Sequence, residues 1–428
     1  MRLELKIHNI HDVRFDGNTF VENGILHVDP DELKGLLKED KDLGDIDIAL
    51  ARPGESIRIV RVSDVVEPRA KSSESGVDFP GALGPQIPAG SGVTHVLRGV
   101  GVVITEDLPV QGRIKDPWGE IIDMSGPSSE HNMYAGIRNI VLTPTPSPNA
   151  GHQDYRLALK RAALKTASYL ARAALDLEPD DIEVYHFPRL NDIEKSSGGL
   201  PRVGYVFPLF AQQFGVLPGD IVLYGRPVDD MVPTILHPNE VLDGALVSPF
   251  RACGLKTYAI QNHPMIQALY ARHQSDLIFS GVIIAITYNN EEDNLRAAAM
   301  IGSLARWALG ADGVILSKPW GGAAEMTVAQ MAKRCEEMGV KTVLAMWQQS
   351  TDRSTGAGTI FSFPEVDAIV SLGLPQERIT MPPVEKVIGR TETMPDMAGI
   401  QGEIVHTPRT ICGYMDVLGR SRKRVVLD

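Results

Sequence analysis

The rhythm after residue 276 constrains this chain more than any other feature. Residues 278–287, Ile-Phe-Ser-Gly-Val-Ile-Ile-Ala-Ile-Thr, form an almost unbroken apolar run. The run is too short to cross a bilayer, which takes about 20 residues. It also lacks the polar alternation of a strand with one wet face. It therefore predicts a strand buried on both faces. Helical spacing over about 292–309 and 324–338 alternates with further apolar runs at 313–316, 341–346 and 366–371. Helices between short, fully apolar strands predict a mostly parallel sheet with helices on both sides.

The first 145 residues read differently. Arg2-Leu-Glu-Leu-Lys-Ile and Ser56-Ile-Arg-Ile-Val-Arg-Val alternate with period two, and one short helix is expected after Asp29. Strands are also expected over 93–104 and 137–142. Thr143-Pro-Thr-Pro-Ser-Pro-Asn-Ala-Gly151 reads as an extended linker, because alternate prolines forbid a helix. A long helix is expected over 153–177, and strands over 183–185, 203–208, 221–224 and 245–248. The expected fold class is thus α/β: a β-rich module at 1–145, an α/β region at 146–252, and a second α/β region at 253–428.

Charge and cysteine usage exclude several functions. The net charge is −12 and the pI about 5.4, which argues against nucleic-acid or anionic-membrane binding. One basic run, Arg420-Ser-Arg-Lys-Arg424, reads as a solvated tail or a patch for an acidic partner. Three cysteines, at 253, 335 and 412, give neither a disulfide framework nor a CxxC pair. A reducing, cytoplasmic setting fits that usage. No G-x-G-x-x-G opens an α/β unit, and no Walker, G-x-S-x-G or H-E-x-x-H motif occurs. His8 and His11 are three apart on an extended segment, hence on opposite faces, so no metal site is expected.

Polar turns at strand ends remain as binding candidates. His95 and Arg98 are placed to meet an anionic group such as a carboxylate, and Asp123 and Ser125 come next. Cys335 sits in a helical pattern and Cys412 in an apolar one, so both read as small core residues. Cys253 follows a Pro/Gly-broken apolar segment, where a thiol is either a small hydrophobe or an exposed, reactive group.

Ten segments, taken in order, resemble one family. They are Ala51-Arg-Pro-Gly-Glu-Ser56, Val66-Glu-Pro-Arg69, Phe79-Pro-Gly81, Gly90-Ser-Gly92 with Thr94-His95, Ile122-Asp-Met-Ser-Gly-Pro127, Glu183-Val-Tyr185, Val232-Pro-Thr234, Glu240-Val-Leu-Asp-Gly-Ala245, Gln261-Asn-His-Pro264 and Pro382-Pro-Val-Glu-Lys-Val-Ile-Gly389. Together they resemble the precursor of component B of glycine, sarcosine and betaine reductases, which is related to the D-proline reductase precursor. The resemblance implies a subunit of a hetero-oligomer that binds a small amino acid or amine. A partner subunit with a selenocysteine or cysteine nucleophile then cleaves the C–N bond reductively. It adds Arg52, Glu55 and His263 to the expected substrate-binding residues.

The resemblance also implies self-cleavage at a cysteine, leaving a pyruvoyl-type carbonyl at the new N-terminus. The thiolate takes the preceding acyl group, and elimination of sulfur leaves dehydroalanine, which hydrolyses to a ketone. Such a carbonyl is an electron sink for an amine substrate. Here Ser248-Pro-Phe-Arg stands where the family has Gly-Asn-Cys, which leaves Cys253 as the residue to cut, between 1–252 and 253–428. Two alternatives stay open: an uncleaved scaffold working with a reductase partner, and a stand-alone cysteine enzyme with His263 as its base.

Overall fold

The structure, a computed structural model, describes residues 1–106, 120–188, 199–210, 220–248, 255–318, 323–347, 364–366, 368–374, 377–390, 397–408, 410–414 and 418. Cys253 and the basic run at 420–424 lie outside the described residues.

The chain is α/β, and among the described residues its largest sheet has six strands. Their order is Thr234–Leu236, Ile278–Thr287, Arg202–Phe210, Gly313–Lys318, Lys341–Met346 and Ala368–Ser371. All neighbours are parallel except Thr234–Leu236, which runs antiparallel to Ile278–Thr287. Every residue of Ile278–Thr287 is buried, as the unbroken apolar run predicts. Its two faces meet different cores. Ile283 and Ala285 pack with Ala298 and Ile301 of the helix Glu291–Ser303 and with Val328 and Met331 of Ala323–Glu337. Val282, Ile284 and Ile286 pack with Ile260, Ile266, Leu269 and the N-terminal Leu3, Leu5 and Ile7.

The first module holds two four-stranded sheets. One has the order Asp181–His186, Arg2–Asn9, Gly92–Arg98, Arg69–Lys71, and the other Leu43–Ala51, Arg138–Pro146, Val100–Thr105, Val62–Val66. The strand expected over 93–104 is split at Gly99, where the chain passes from one sheet to the other. Gly99 has φ +92°, and a Cβ there would lie 2.5 Å from the Ile10 carbonyl oxygen. Only glycine fits.

Three further expectations need correction. The proposed linker begins as strand, since Arg138–Pro146 runs through Pro144 and Pro146. Beyond Leu142 this strand has Leu43–Ala51 on one side and, among the described residues, no ladder partner on the other, where prolines are tolerated. The helix that follows, His152–Arg172, stops short of 177 and buries Leu159, Ala163, Leu170 and Ala171 against strands of the first module. The boundary expected at 145 therefore runs through a shared core. Finally, 221–224 and 245–248 make only isolated bridges, Leu223 to Arg226 and Leu223 to Leu246. Tyr224 and Gly225 both have positive φ and turn the chain there.

The chain is interlaced across residue 253. Arg202–Phe210 and Thr234–Leu236 precede that residue, yet Ile278–Thr287 lies between them in the large sheet. Lys386–Ile388 pairs with Ile57–Ile59, and the Arg58 guanidinium donates to the carbonyls of Pro382 and Gly402 at 2.9 and 3.0 Å.

Candidate functional site

Ser248 and Leu255 flank the segment that carries Cys253, and one hydrogen bond joins them. Ser248 Oγ donates to the Leu255 carbonyl at 2.7 Å. The Ser248 amide donates to Thr257 Oγ1 at 3.0 Å, and the Thr257 hydroxyl donates to Asp64 Oδ2 at 2.6 Å. The Thr257 amide takes the other Asp64 oxygen at 2.8 Å. Lys160 donates to the Ser248 carbonyl at 2.8 Å and to Asp220 Oδ1 at 2.8 Å. Lys256, fully buried, donates to the Ser63 carbonyl at 2.9 Å and pairs with Glu120 at 2.8 Å. Burial pushes the Asp64 carboxyl above its ordinary range, against the bonds from Thr257. A cavity of about 30 Å³ adjoins, lined by Ser63, Asp64, Lys160, Asp220 and Ser248 among others.

A second network lies on the same stretch of chain, through Gln261 and Asn262. Glu67 Oε2 accepts from Arg69 Nε at 2.8 Å, Arg69 Nη2 at 2.6 Å and Asn262 Nδ2 at 3.0 Å. Arg69 also donates to the carbonyls of Leu242 and Gln261 at 2.7 and 3.1 Å. Lys71 pairs with Asp243 at 2.5 Å, and Asp243 also accepts from Thr94 Oγ1 at 2.8 Å and the Gly90 amide at 2.7 Å. Glu67 is fully buried, yet its Oε1 accepts no hydrogen bond among the described residues and lies 3.8 Å from Arg98 Nε. Arg98 is one-third exposed and donates to Glu183 Oε1 at 2.5 Å. Burial works to raise Glu183, but Arg98 outweighs it and holds the carboxylate below its ordinary range.

The residues expected from sequence fall into separate places. Arg98 belongs to the second network. His263 caps the helix Pro264–Arg272 and packs edge-on against Tyr205 and Phe207, each at 5.0 Å. His95 does not share Arg98's face. Successive side chains of Gly92–Arg98 alternate, so Thr94 and Arg98 point one way and His95 the other. His95 instead meets His8, with Nδ1 and Nε2 3.0 Å apart, and burial lowers the pKa of both rings. Arg52, Glu55, Asp123 and Ser125 gather around the paired strands Ile57–Ile59 and Ile122–Asp123. Arg52 bonds Glu55, Asp12 Oδ1 at 3.2 Å and the Val13 carbonyl at 2.6 Å. Asp123 is fully buried and takes Arg58 with both oxygens, at 2.8 and 2.9 Å. Ser125 is partly exposed in the bend that follows. Cys335 and Cys412 are buried, and burial pushes the Cys335 thiol up to about 12.

Sequence reasoning missed Asp64, Glu67, Arg69, Lys71, Asp243, Lys256, Thr257 and Asn262. Several of them stood inside the quoted motifs. The usable signal was charge at every second or third position within the otherwise apolar stretch from Val62 to Lys71.

The fold and these networks define an α/β protein whose interior charge is assembled from distant segments at one chain junction. Among the described residues no cluster of three or more His, Cys, Asp or Glu side chains could hold a metal, and no helix is long and apolar enough to cross a membrane. The chain belongs to the family of glycine/sarcosine/betaine reductase component B subunits, whose sequence pattern matches residues 1–419. It is 35% identical to glycine reductase complex component B subunits alpha and beta of Peptoclostridium acidaminophilum, covering 93% of this chain and 92% of the relative. It is 34% identical to that organism's sarcosine reductase complex component B subunit alpha, over 93% and 92% of the two chains. It is 30% identical to the betaine reductase complex component B subunit alpha, over 92% and 89%. No solved structure matches it.

Proposed function

We propose that this chain is the substrate-binding subunit of a cytoplasmic hetero-oligomeric reductase that cleaves the C–N bond of a small amino acid or amine, and that it cuts itself between Ala252 and Cys253. The observation that carries the reading is the Ser248–Leu255 bond at 2.7 Å, which ties the two flanks of that segment to one buried network. The glycine reductase relative is named for two subunits, alpha and beta, on one chain, which suits a precursor cut in two.

The cut moves the Ala252 acyl group from nitrogen to the Cys253 sulfur. Elimination then breaks Cβ–S and removes the Cα proton, leaving a thiocarboxylate on the first fragment. One water converts the resulting enamine to a ketone and releases ammonia. Lys160 on the Ser248 carbonyl, Thr257 on its amide and the buried Leu255 fit such a group by holding the chain on both sides of it. The pyruvoyl-type carbonyl supplies an electron sink for an amine substrate. Arg98, partly exposed, binds the substrate carboxylate, and the partly exposed Glu183 beside it takes its ammonium, while the buried Glu67 holds Arg98 from behind. A selenocysteine- or cysteine-bearing partner subunit supplies the nucleophile.

A hydrazide reagent tests this reading. It should label residues 253–428 of the purified wild type and leave Cys253→Ala unlabelled. The second reading, an uncleaved scaffold, rests on Ser248-Pro-Phe-Arg in place of Gly-Asn-Cys. It predicts no labelling in either protein.

A further inference from the structure

We infer that the Thr257 hydroxyl, held by Asp64, is a positioning residue for self-processing, so that the chain is cut only after it has folded. This rests on the cleavage proposed above and says what controls it.

Thr257 Oγ1 does two things at once. It accepts the Ser248 amide at 3.0 Å and donates its proton to Asp64 Oδ2 at 2.6 Å. Asp64 in turn holds the Thr257 amide at 2.8 Å and the Val65 amide at 2.8 Å. The hydroxyl therefore joins the upstream flank, Ser248, directly to the downstream flank, Thr257, and anchors both to a third segment of chain. Ser248 Oγ closes the same ring on Leu255. Lys160, from the helix His152–Arg172, fixes the Ser248 carbonyl. Four separate stretches of sequence must meet before the whole set exists, and the bonds from Asp64 to Thr257 and from Lys160 to Ser248 span 193 and 88 residues, so they form only in the folded chain. An acyl shift demands that thiol and carbonyl approach to about 3–3.5 Å, and restricting the flanks is how a folded protein supplies that approach. The adjoining cavity of about 30 Å³ has room for water, and Asp64, Lys160 and Asp220 give it polar partners. Processing consumes one water.

The alternative is that Thr257 merely fills space. Thr257→Val keeps the shape and removes the hydroxyl, whereas Thr257→Ser keeps the hydroxyl and removes a methyl. The full chain is synthesised in a cell-free system with a pulse of labelled amino acid, and the appearance of the 253–428 fragment is followed on denaturing gels. The expected result is at least tenfold slower cutting for Thr257→Val and cutting within threefold of wild type for Thr257→Ser. Asp64→Asn should also slow it at least tenfold, and it carries the test if Thr257→Val does not fold. Melting of each variant in a Cys253→Ala background separates folding from cutting. Wild-type cutting with an equally fast Thr257→Val, or with Thr257→Ser as slow as Thr257→Val, overturns the positioning role and leaves the processing reading standing. An uncut wild type overturns both.

Discussion

The central strand of the six-stranded sheet, Ile278–Thr287, and the junction beside it are both buried and are held by opposite chemistry. Ile278–Thr287 buries ten residues, almost all apolar, and its neighbours interdigitate with them. The junction buries Asp64, Glu67, Arg69, Lys71, Asp243 and Lys256, each with an ionic or hydrogen-bonding partner. Apolar burial is graded, so a lost methylene costs in proportion to area. A buried charge is not graded, because removing one partner strands the other. The sheet should therefore tolerate small changes of shape that the junction does not tolerate even when shape is kept.

The largest expected effect comes from Arg69→Met, which preserves bulk but leaves Glu67 without the Arg69 bonds to its Oε2. A loss of about 3–5 kcal/mol in urea unfolding is expected, and a loss under about 1 kcal/mol would erase the contrast between the regions. Next is Arg98→Met at the exposed rim of the same network. Calorimetric titration with glycine, sarcosine and betaine in turn should show binding of the best ligand weakened about 10–100-fold, the scale of a lost charged hydrogen bond. Unchanged affinity would remove Arg98 from the substrate site.

Acid sharpens the comparison further. His237 caps the helix Pro238–Leu242 that leads to Asp243, and its pKa is pushed from 6.5 to about 4 by burial and then by the N-terminal ammonium. The folded protein thus binds fewer protons than the unfolded chain between those values. This contribution is complete above 6.5 and is lost as pH falls towards 4. The urea midpoint should drop across that window, and His237→Asn should flatten the drop. The smallest effect is expected in the sheet. Ile284→Val should cost only about 0.5–1.5 kcal/mol by the same measurement.

The two regions also differed in how far the sequence revealed them. The central strands could be read from their apolar runs, whereas the run at 366–371 gave the right element but not its burial, since Ala368–Ser371 is an exposed edge strand. The helices Glu291–Ser303 and Ala323–Glu337 followed from the spacing between them. The junction was legible only in pieces, as a cysteine near a proline and glycine and as charged residues inside motifs such as Val66-Glu-Pro-Arg69 and Glu240-Val-Leu-Asp-Gly-Ala245. Its hydrogen-bonding partners come from segments about 190 residues apart, as Asp64 and Thr257 do. No local pattern announces a partner at that distance. His95 and Arg98 were paired by proximity along the chain, whereas strand parity puts them on opposite faces and Arg98 on the face of Thr94. The prolines at 144 and 146 suggested a linker, because the open side that lets a strand carry them, unpaired among the described residues, is a tertiary fact.

Mass measured with and without denaturant tests the central claim most directly. Residues 1–252 and 253–428 are interlaced in the large sheet, so they should elute together under native conditions and separate into two chains in denaturant. A single denatured chain of 46.6 kDa would contradict it.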